Sequence, residues 1–569
     1  MSNRHFAHWP PGLPHHLTLP ATNLYVNVEV SATRYPDKPF IVFYDSVLTF
    51  AEFRRDAERI AGYLQRECGV KKGDRVLLYM QNSPQWALAY YGILRADAVV
   101  VPVNPMNRTD ELRHYVADTG AAVAFVPQDL LAQMQPLLGE ATADGPGLQR
   151  VIVATYSDWL RSPTDLRVPD FVAAPRVPLD AEGLVAWADM LAAGHEPGPL
   201  TAGPDDLCVM PYTSGTTGQP KGCMHTHRSV MCTAVGGVQW FGRTQDMVML
   251  SVLPYFHVTG MTGSMNGPLY AGATIVMLSR WDRDAAAACI QRYGITAWQA
   301  ITTMVIDFLA HPTIGEYDLS SLVGIRGGGA AMPEALCAKL KALTGLDYVE
   351  GYGMSETIAA THLNPPQRPK PQCLGIPMCD VDSRIVDPET LQEVAPGETG
   401  EIVTHAPQVM QGYWRNPEAT REVFVEIDGK RFLRTGDLGH IDADGYFFMT
   451  DRLKRMINAS GFKVWPAEVE ALMYRHPAIQ EVCVIGARDA RRGETVKALV
   501  VLKPGHEGRV REQDIADWSR DHMAAYKAPR IVEFVASLPK SGTGKVMWRE
   551  LQEQQSAQDA RIGKEQQPR

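Results

Sequence analysis

Two hydrophobic periods alternate along the first third of the chain. Residues 75–80 form a short continuous apolar run, the pattern of a strand buried on both faces, and 85–95 space their apolar side chains for a helix. Residues 98–103 read as a strand, 110–117 as a helix and 121–126 as a strand again. Ser83 followed by Pro84 is an N-cap ahead of a proline at the first helical position. Strands and helices at this spacing imply parallel β-α-β units, and the same rhythm returns between Thr274 and Tyr352. The interval 156–199 is richer in Pro, Asp and Ala and reads as a surface excursion with a short helix near Trp187. Past Asp451 come β-branched runs at 481–485 and 496–502, a helix at 512–525 and a strand at 531–535. These suffice for a small domain of about a hundred residues. Residues 551–569 read as a fraying helix or tail. The expected fold class is α/β: a large N-terminal domain of parallel α/β layers over 1–450, then a small α+β C-terminal domain over 451–569.

Composition narrows the function classes. The 569 residues are 45% hydrophobic and 21% charged, which suits a soluble enzyme of several folding units. Fifty-five basic against 64 acidic residues leave a net charge of −9, with no electrostatic footprint for nucleic acid. Nine scattered cysteines with no C-x-x-C pair argue against a disulfide scaffold or metal knuckle, and a cytoplasmic location is the simplest expectation. Residues 247–279 carry no Asp, Glu, Lys or Arg, yet Pro254, Pro268 and several glycines interrupt them, so buried strands and turns fit better than a membrane span.

The densest chemistry lies in Tyr212-Thr-Ser-Gly-Thr-Thr-Gly-Gln-Pro-Lys-Gly222. Glycines expose successive backbone N–H groups, hydroxyls add donors, and Lys221 adds a mobile charge, so the loop suits phosphate. It is not a Walker A loop, because Lys221 follows Pro220. Near the other end, Gly542-Thr-Gly-Lys545 invites the same comparison and fails it: Pro539 stands where the leading glycine belongs, and Val546 replaces the Ser or Thr that would meet a magnesium ion.

The 212–222 segment resembles the phosphate-binding signature of the adenylate-forming superfamily, which includes acyl-CoA synthetases, firefly-type luciferases and peptide-synthetase adenylation domains. Further motifs follow in that family's order. The resemblance implies that Thr213, Ser214, Gly215, Thr216, Thr217, Gly218 and Lys221 grip the ATP phosphates. His257, in Tyr255-Phe-His-Val-Thr-Gly260, would lie beside the acid pocket. Arg326-Gly-Gly-Gly-Ala-Ala-Met-Pro333 supplies a tight turn with Gly329 against a flat base or acyl chain. Gly351, Tyr352, Gly353 and Ser355 would hold adenine and the α-phosphate, and Glu356 with Thr213 would meet Mg²⁺. Asp437 would bridge the ribose hydroxyls and Arg452 would contact the nucleotide. Lys454 would be the hinge about which a mobile small domain swings, Gly461 would line the thiol tunnel, and Lys545 would be the catalytic lysine. Lys545, His257 and Lys454 are thus the expected catalytic residues. Asn458 departs from the pattern, since several fatty-acid-activating relatives carry lysine there.

The implied reaction is ATP-dependent activation of a carboxylic acid to an acyl adenylate, then transfer to coenzyme A. The overall resemblance is closest to bacterial medium- and long-chain fatty acid–CoA ligases, and a homodimer is the assembly it implies. The expected acid pocket spans 240–265 and 300–304, with the 327–329 turn at its floor. It reads as apolar through Trp240, Phe241, Met261, Met265 and Met304, with no charge to meet a second carboxylate. An aromatic acid of benzoate or cinnamate type, and an acyl-AMP ligase loading a carrier protein, are the alternatives.

Overall fold

The computed structural model describes residues 4–143, 145–213, 219–329, 331–459, 462–489, 493–540 and 546–565. The chain divides into two compact units: Met1–Ser383 with Thr404–Leu433 and Asp444–Tyr446, and Arg384–Val403 with Arg434–Ala443 and Phe447–Arg569.

In the first unit the predicted apolar runs form strands Arg75–Leu78, Val99–Pro102 and Val123–Pro127, paired in parallel. Helices Pro84–Arg95 and Thr109–Thr119 connect them, and the Ser83 hydroxyl accepts the Trp86 N–H at 3.1 Å as the expected cap. Alternate strand residues feed opposite cores. Val76 and Leu78 pack with helix residues Phe53, Ile60, Leu88 and Ile93, whereas Leu77 and Tyr79 join Leu112, Tyr115 and Val116 on the other face. The 156–199 excursion does more than cover the surface: Leu184–Ala186 adds an edge strand parallel to Arg150–Ala154, and Trp187–Ala192 is the expected short helix.

A second sheet places Tyr348–Met354, Gly324–Gly328, Ala297–Gln299, Val248–Ser251, Thr274–Met277 and Pro39–Phe43 side by side in parallel. The uncharged 247–279 stretch supplies two of these strands. The segment between them, expected as turns, is three short helical pieces, Val258–Met261, Thr262–Asn266 and Gly267–Ala271. Among the described residues no helix is long and apolar enough to cross a membrane. The core cluster containing Val76 and Leu78 also holds Ile41, Leu250 and Ile275, so helices Phe50–Arg66 and Pro84–Arg95 are buried between the two sheets. Parallel strands flanked by helices present their C-terminal ends as the crevice where ligands bind.

In the second unit Ile479–Asp489 and Gly493–Leu502 pair antiparallel, with Ile531–Phe534 parallel beside the latter. Helix Pro466–Met473 buries Val469 and Met473 with Val482, Val484 and Val500, and Ile515 of helix Glu512–His522 joins them. Cys483, Ile485 and Leu499 face the opposite way, against Leu538, Trp548 and Leu551. The expected tail is therefore a helix, Trp548–Glu565, whose first turns pack on the sheet.

One glycine decides how closely the second sheet's strands approach. A Cβ on Gly327 would fall 1.9 Å from the Ala300 carbonyl oxygen and 2.2 Å from the Tyr348 hydroxyl, which donates to that same carbonyl at 2.9 Å. Gly327→Ala is expected to cost about 1–3 kcal/mol or more through forced displacement. Gly237, in helix His227–Trp240 with nothing within 4 Å of such a Cβ, is the control, where alanine should add roughly 0.5–1 kcal/mol. Thermal unfolding of the two variants should move the midpoint in opposite directions.

Candidate active site

The phosphate-loop segment leaves and rejoins the fold through one short ladder. Tyr212–Thr213 pairs antiparallel with Lys221–Gly222, Thr213 opposite Lys221. Residues Ser214, Gly215, Thr216, Thr217 and Gly218 lie outside the described residues. Segment 410–414 holds the base of the hairpin: Trp414 N–H donates to the Gly222 carbonyl at 2.8 Å, and Gln411 N–H to the Met224 carbonyl at 2.9 Å. His114 Nε2 reaches the Pro220 carbonyl at 2.9 Å, and Tyr212 donates to the Asp118 carboxylate.

Tyr413 joins this base to Glu356. The Lys221 ammonium lies 5.3 Å from the Tyr413 ring centroid, while the Tyr413 hydroxyl donates to Glu356 Oε1 at 2.8 Å. Glu356 is buried, and the Met410 N–H donates to its carbonyl at 2.8 Å. Burial, then the Glu356 charge, pushes the Tyr413 hydroxyl far above the ordinary tyrosine range, so it remains a donor. Neither Tyr413 nor this role was anticipated; a glycine-aromatic pair, Gly412-Tyr413, was the available signal.

Around Glu356 the backbone turns tightly. Ile358 and Ala359 take φ of 43° and 100°, unusual for residues with a Cβ. The Thr357 hydroxyl holds the turn, accepting from Met354 N–H at 3.0 Å and donating to the Ala359 carbonyl at 2.7 Å. His225 Nε2 donates to the Ser355 carbonyl at 2.7 Å; burial lowers this imidazole to about 4, so it is neutral. Upstream, Gly351, Tyr352 and Gly353 lie on strand Tyr348–Met354, and the Tyr352 and His362 rings are 5.6 Å apart across the antiparallel pair. A Cβ on Gly353 would sit 1.7 Å from the Ala359 carbonyl oxygen, so only glycine permits this pairing. Gly329, with φ of 84°, ends the neighbouring strand. Oxygen donors of this kind fit Mg²⁺, and among the described residues no cluster of three or more His, Cys, Asp or Glu could hold a metal alone.

The acid side is less apolar than the sequence suggested. Trp240, Met261, Met265 and Met304 are buried as expected, and exposed His257 caps helix Val258–Met261, its Nδ1 accepting the Thr259 N–H at 3.3 Å. The expectation of no charge in this region is corrected by two arginines. Arg326 is 8% exposed with its guanidinium 3.8 Å from the Phe241 ring centroid, and Arg243 lies 5.2 Å from the same centroid. Burial, then the like charge of Arg243, drives Arg326 well below the usual guanidinium range, and burial lowers Arg243 to about 10.

In the second unit, buried Asp437 stands opposite Arg452 in an antiparallel pair, with Arg452 Nε 3.0 Å from Asp437 Oδ1. Glu401, also unanticipated, shapes the preceding turn: it accepts the Gly436 N–H at 3.1 Å and Arg434 Nε at 2.9 Å. A carboxylate at an inward position of strand Gly400–His405 was the missed signal. Lys454 lies in the short turn Leu453–Arg455. Asp451 brackets it, accepting Arg452 N–H and Ala467 N–H at 2.6 Å each, while Arg455 pairs with Glu470. Gly461 and Lys545 lie outside the described residues.

Residues 28–414 match the AMP-binding enzyme family, and residues 468–545 match the AMP-binding enzyme C-terminal domain. A long-chain-fatty-acid–CoA ligase of Bacillus subtilis (strain 168) is 35% identical over 561 residues, 97% of this chain and 98% of that protein. A feruloyl-CoA synthase of Amycolatopsis sp. is 34% identical over 508 residues, 88% and 93% of the two chains. Among solved structures, the anthranilate CoA ligase AuaEII in complex with anthranoyl-AMP aligns with a TM-score of 0.80 at 28% identity, covering 96% and 99% of the two chains. ATP-bound MatB from Rhodopseudomonas palustris aligns at 0.81 and 27% identity, covering 95% and 100%.

 Two expectations follow from the buried carboxylates. Glu350 is raised by burial to about 7, although the N–H groups of Met332 and Gln372, each 3.2 Å from its Oε1, oppose the shift. A folded value above the unfolded one contributes stability that is whole below about pH 4.5 and is lost as pH rises through about 7. Denaturant titrations at pH 5 and pH 8 should therefore differ by roughly 3 kcal/mol more in the native protein than in Glu350→Gln. Tyr413→Phe removes a donor from buried Glu356 and should lower stability by about 1–3 kcal/mol, read in the same titration.

Proposed function

Because the chain belongs to the AMP-binding enzyme family, we propose that it activates a carboxylic acid with ATP, releasing pyrophosphate, and transfers the acyl group from the adenylate to coenzyme A. The observation that carries this reading is the Lys221–Tyr413–Glu356 assembly at the base of the 212–222 hairpin, which joins a cation and a buried carboxylate beside a glycine- and hydroxyl-rich loop.

A carboxylate is a poor acyl donor because its leaving group is oxide-like, and exchange of that oxygen for AMP makes a good one. The first step brings the acid carboxylate to the α-phosphate, so two anions must approach. Preorganised positive charge lowers that barrier, and holding both reactants in line removes much of the entropic cost. In this reading Lys221 and the 213–218 donors hold the phosphates, Gly329, Gly351, Tyr352 and Gly353 take the base, and Ser355 reaches the α-phosphate. Asp437 takes the ribose with Arg452 beside it, and His257 borders the acid. Thr213 and Glu356 would hold a magnesium ion, which when bound would supply charge neutralisation on the nucleotide. Lys545 donates to the carboxylate and α-phosphate in the first step. Rotation at Lys454 then withdraws Lys545 and brings Gly461 toward the path of the thiol for the second.

The acid we favour is a medium- or long-chain fatty acid, which places the enzyme in lipid metabolism. The long-chain-fatty-acid–CoA ligase relative and the buried Met261, Met265 and Met304 support it. An aromatic acid is the second reading, supported by the similarity to a feruloyl-CoA synthase and an anthranilate CoA ligase. A cytoplasmic homodimer is part of the same proposal. Pyrophosphate release with Mg-ATP, measured across butyrate to palmitate plus benzoate and cinnamate, should depend on coenzyme A for turnover. Lys545→Ala should lose ~10²–10³ or more of the rate. Turnover without coenzyme A, or an unaffected variant, would overturn the assignment.

A further inference from the structure

Among the described residues, buried Arg326 has no acidic partner. It sits mid-strand in Gly324–Gly328 at 8% exposure, its Nη1 lacks a hydrogen-bond partner, and among the described residues its guanidinium has no ionic or hydrogen-bonded contact. What it does touch is the Phe241 ring, 3.8 Å from its Cζ. Arg243, the other cation at that ring, spends one N–H on the Gly263 carbonyl at 3.1 Å and leaves its Nε without a partner. Burying two like charges together is costly unless a counter-charge arrives, and a guanidinium does not escape by losing its proton.

The direction of Arg326 is fixed by the sheet. In parallel register it stands beside Gln299 and Val349, so it shares the face of Gln299, whose Oε1 accepts from the Ser264 hydroxyl at 2.6 Å. A Cβ on Gly324 would lie 2.8 Å from Arg326 Nη2. The guanidinium therefore folds back toward the N-terminal end of its strand, whereas Gly329 lies past its C-terminal end. Five residues separate Gly324 from Gly329, roughly 16 Å at strand rise. A group that meets Arg326 is thus remote from the end where the adenylate would form. Stacking on Phe241 holds the guanidinium plane, and a planar fork of N–H donors matches a carboxylate in two parallel hydrogen bonds.

We propose that the medium- or long-chain fatty acid favoured above carries a second carboxylate at the far end of its acyl chain, received by Arg326 with Arg243 beside it, so that the enzyme selects α,ω-dicarboxylic over monocarboxylic fatty acids of equal length. This rests on the acid-activating reading above and names the substrate class for the same site. Methylenes lie along the apolar wall and the distal charge is neutralised at the arginines. A plain fatty acid would bury its terminal methyl against two unmatched cations.

The test measures kcat and KM for matched pairs, octanoate with octanedioate, decanoate with decanedioate and dodecanoate with dodecanedioate, in the native enzyme, Arg326→Met and Arg326→Lys. Native enzyme should favour at least one diacid over its partner by roughly 10–100-fold, chiefly in KM. Arg326→Met should reverse that preference. Arg326→Lys, which keeps the charge without the fork, should retain a reduced preference, and it carries the test alone if the methionine variant does not fold. Monoacids preferred at every length by native enzyme, with the ratios unchanged in the variants, would overturn the proposal. Thermal shift with the same acids and a non-hydrolysable ATP analogue separates the two readings. Diacid-specific stabilisation that disappears in the variant, without turnover, would sustain the distal-carboxylate site and sink acid activation. Turnover of both classes with no discrimination would do the reverse.

Discussion

A buried carboxylate needs hydrogen-bond donors, and Glu356 draws them from the distant 410–414 segment. The Tyr413 hydroxyl meets the side chain and the Met410 N–H meets the backbone, both from the 410–414 segment. That segment also hydrogen-bonds Gly222 and Met224, so the condition that satisfies Glu356 also sets the base of the 212–222 hairpin. Tyr413 serves both partners because a tyrosine offers a ring face and a polar tip. Lys221 lies over the face and Glu356 accepts from the tip. The proposed phosphate and metal contacts depend on this arrangement, since neither end could shift without breaking a bond made by the other.

The second sheet supplies a different constraint, close approach. Gly327 and Gly353 allow backbone and side-chain atoms to come where no Cβ would fit, and the strained φ values at Ile358 and Ala359 turn the chain directly after Ser355 and Glu356. The result is a strand end with little side-chain bulk, flanked by Tyr352 on one strand and His362 on the next. A flat base needs such a surface. Strain held there by the Thr357 hydroxyl costs stability locally and keeps the functional side chains in one geometry.

Electrostatics divide the first unit's site into two regions. Near the hairpin, Lys221 has Tyr413 and Glu356 in reach, and the charges are matched. At the Phe241 ring, Arg243 and Arg326 have no carboxylate partner among the described residues, and burial lowers both. Arg292 between Asp45 and Asp165, and Arg228 beside Asp205, are raised by their partners, whereas Arg75 and Arg431 are lowered by burial as the Phe241 pair is.

Much of the architecture was legible in order and type. Continuous apolar runs became the strands at 75–78, 99–102 and 123–127, and Ser83-Pro84 capped its helix as read, because these signals are local and period-bound. Where tertiary packing supplied the last contact, the reading fell short. Leu184–Ala186 became a strand only because Arg150–Ala154 offered an edge, and the C-terminal helix is ordered in part by Trp548 and Leu551 against Cys483, Ile485 and Leu499.

The site divides in the same way. Gly, hydroxyl and lysine patterns mark the 212–222 loop as suited to phosphate from the sequence alone, and family resemblance supplied the roles proposed for 351–356 and Asp437. Tyr413 and Glu401 were missed despite weak local signals, since each acts on a residue far away in the chain, Tyr413 on Glu356 and Glu401 on Arg434. Arg326 stood in plain view within a quoted motif, and Arg243 within the expected pocket. What no sequence shows is that both lie against one phenylalanine with no acid beside them. Composition records that a charge exists; only the folded chain decides whether it has a partner, because pairing is a matter of distance and burial.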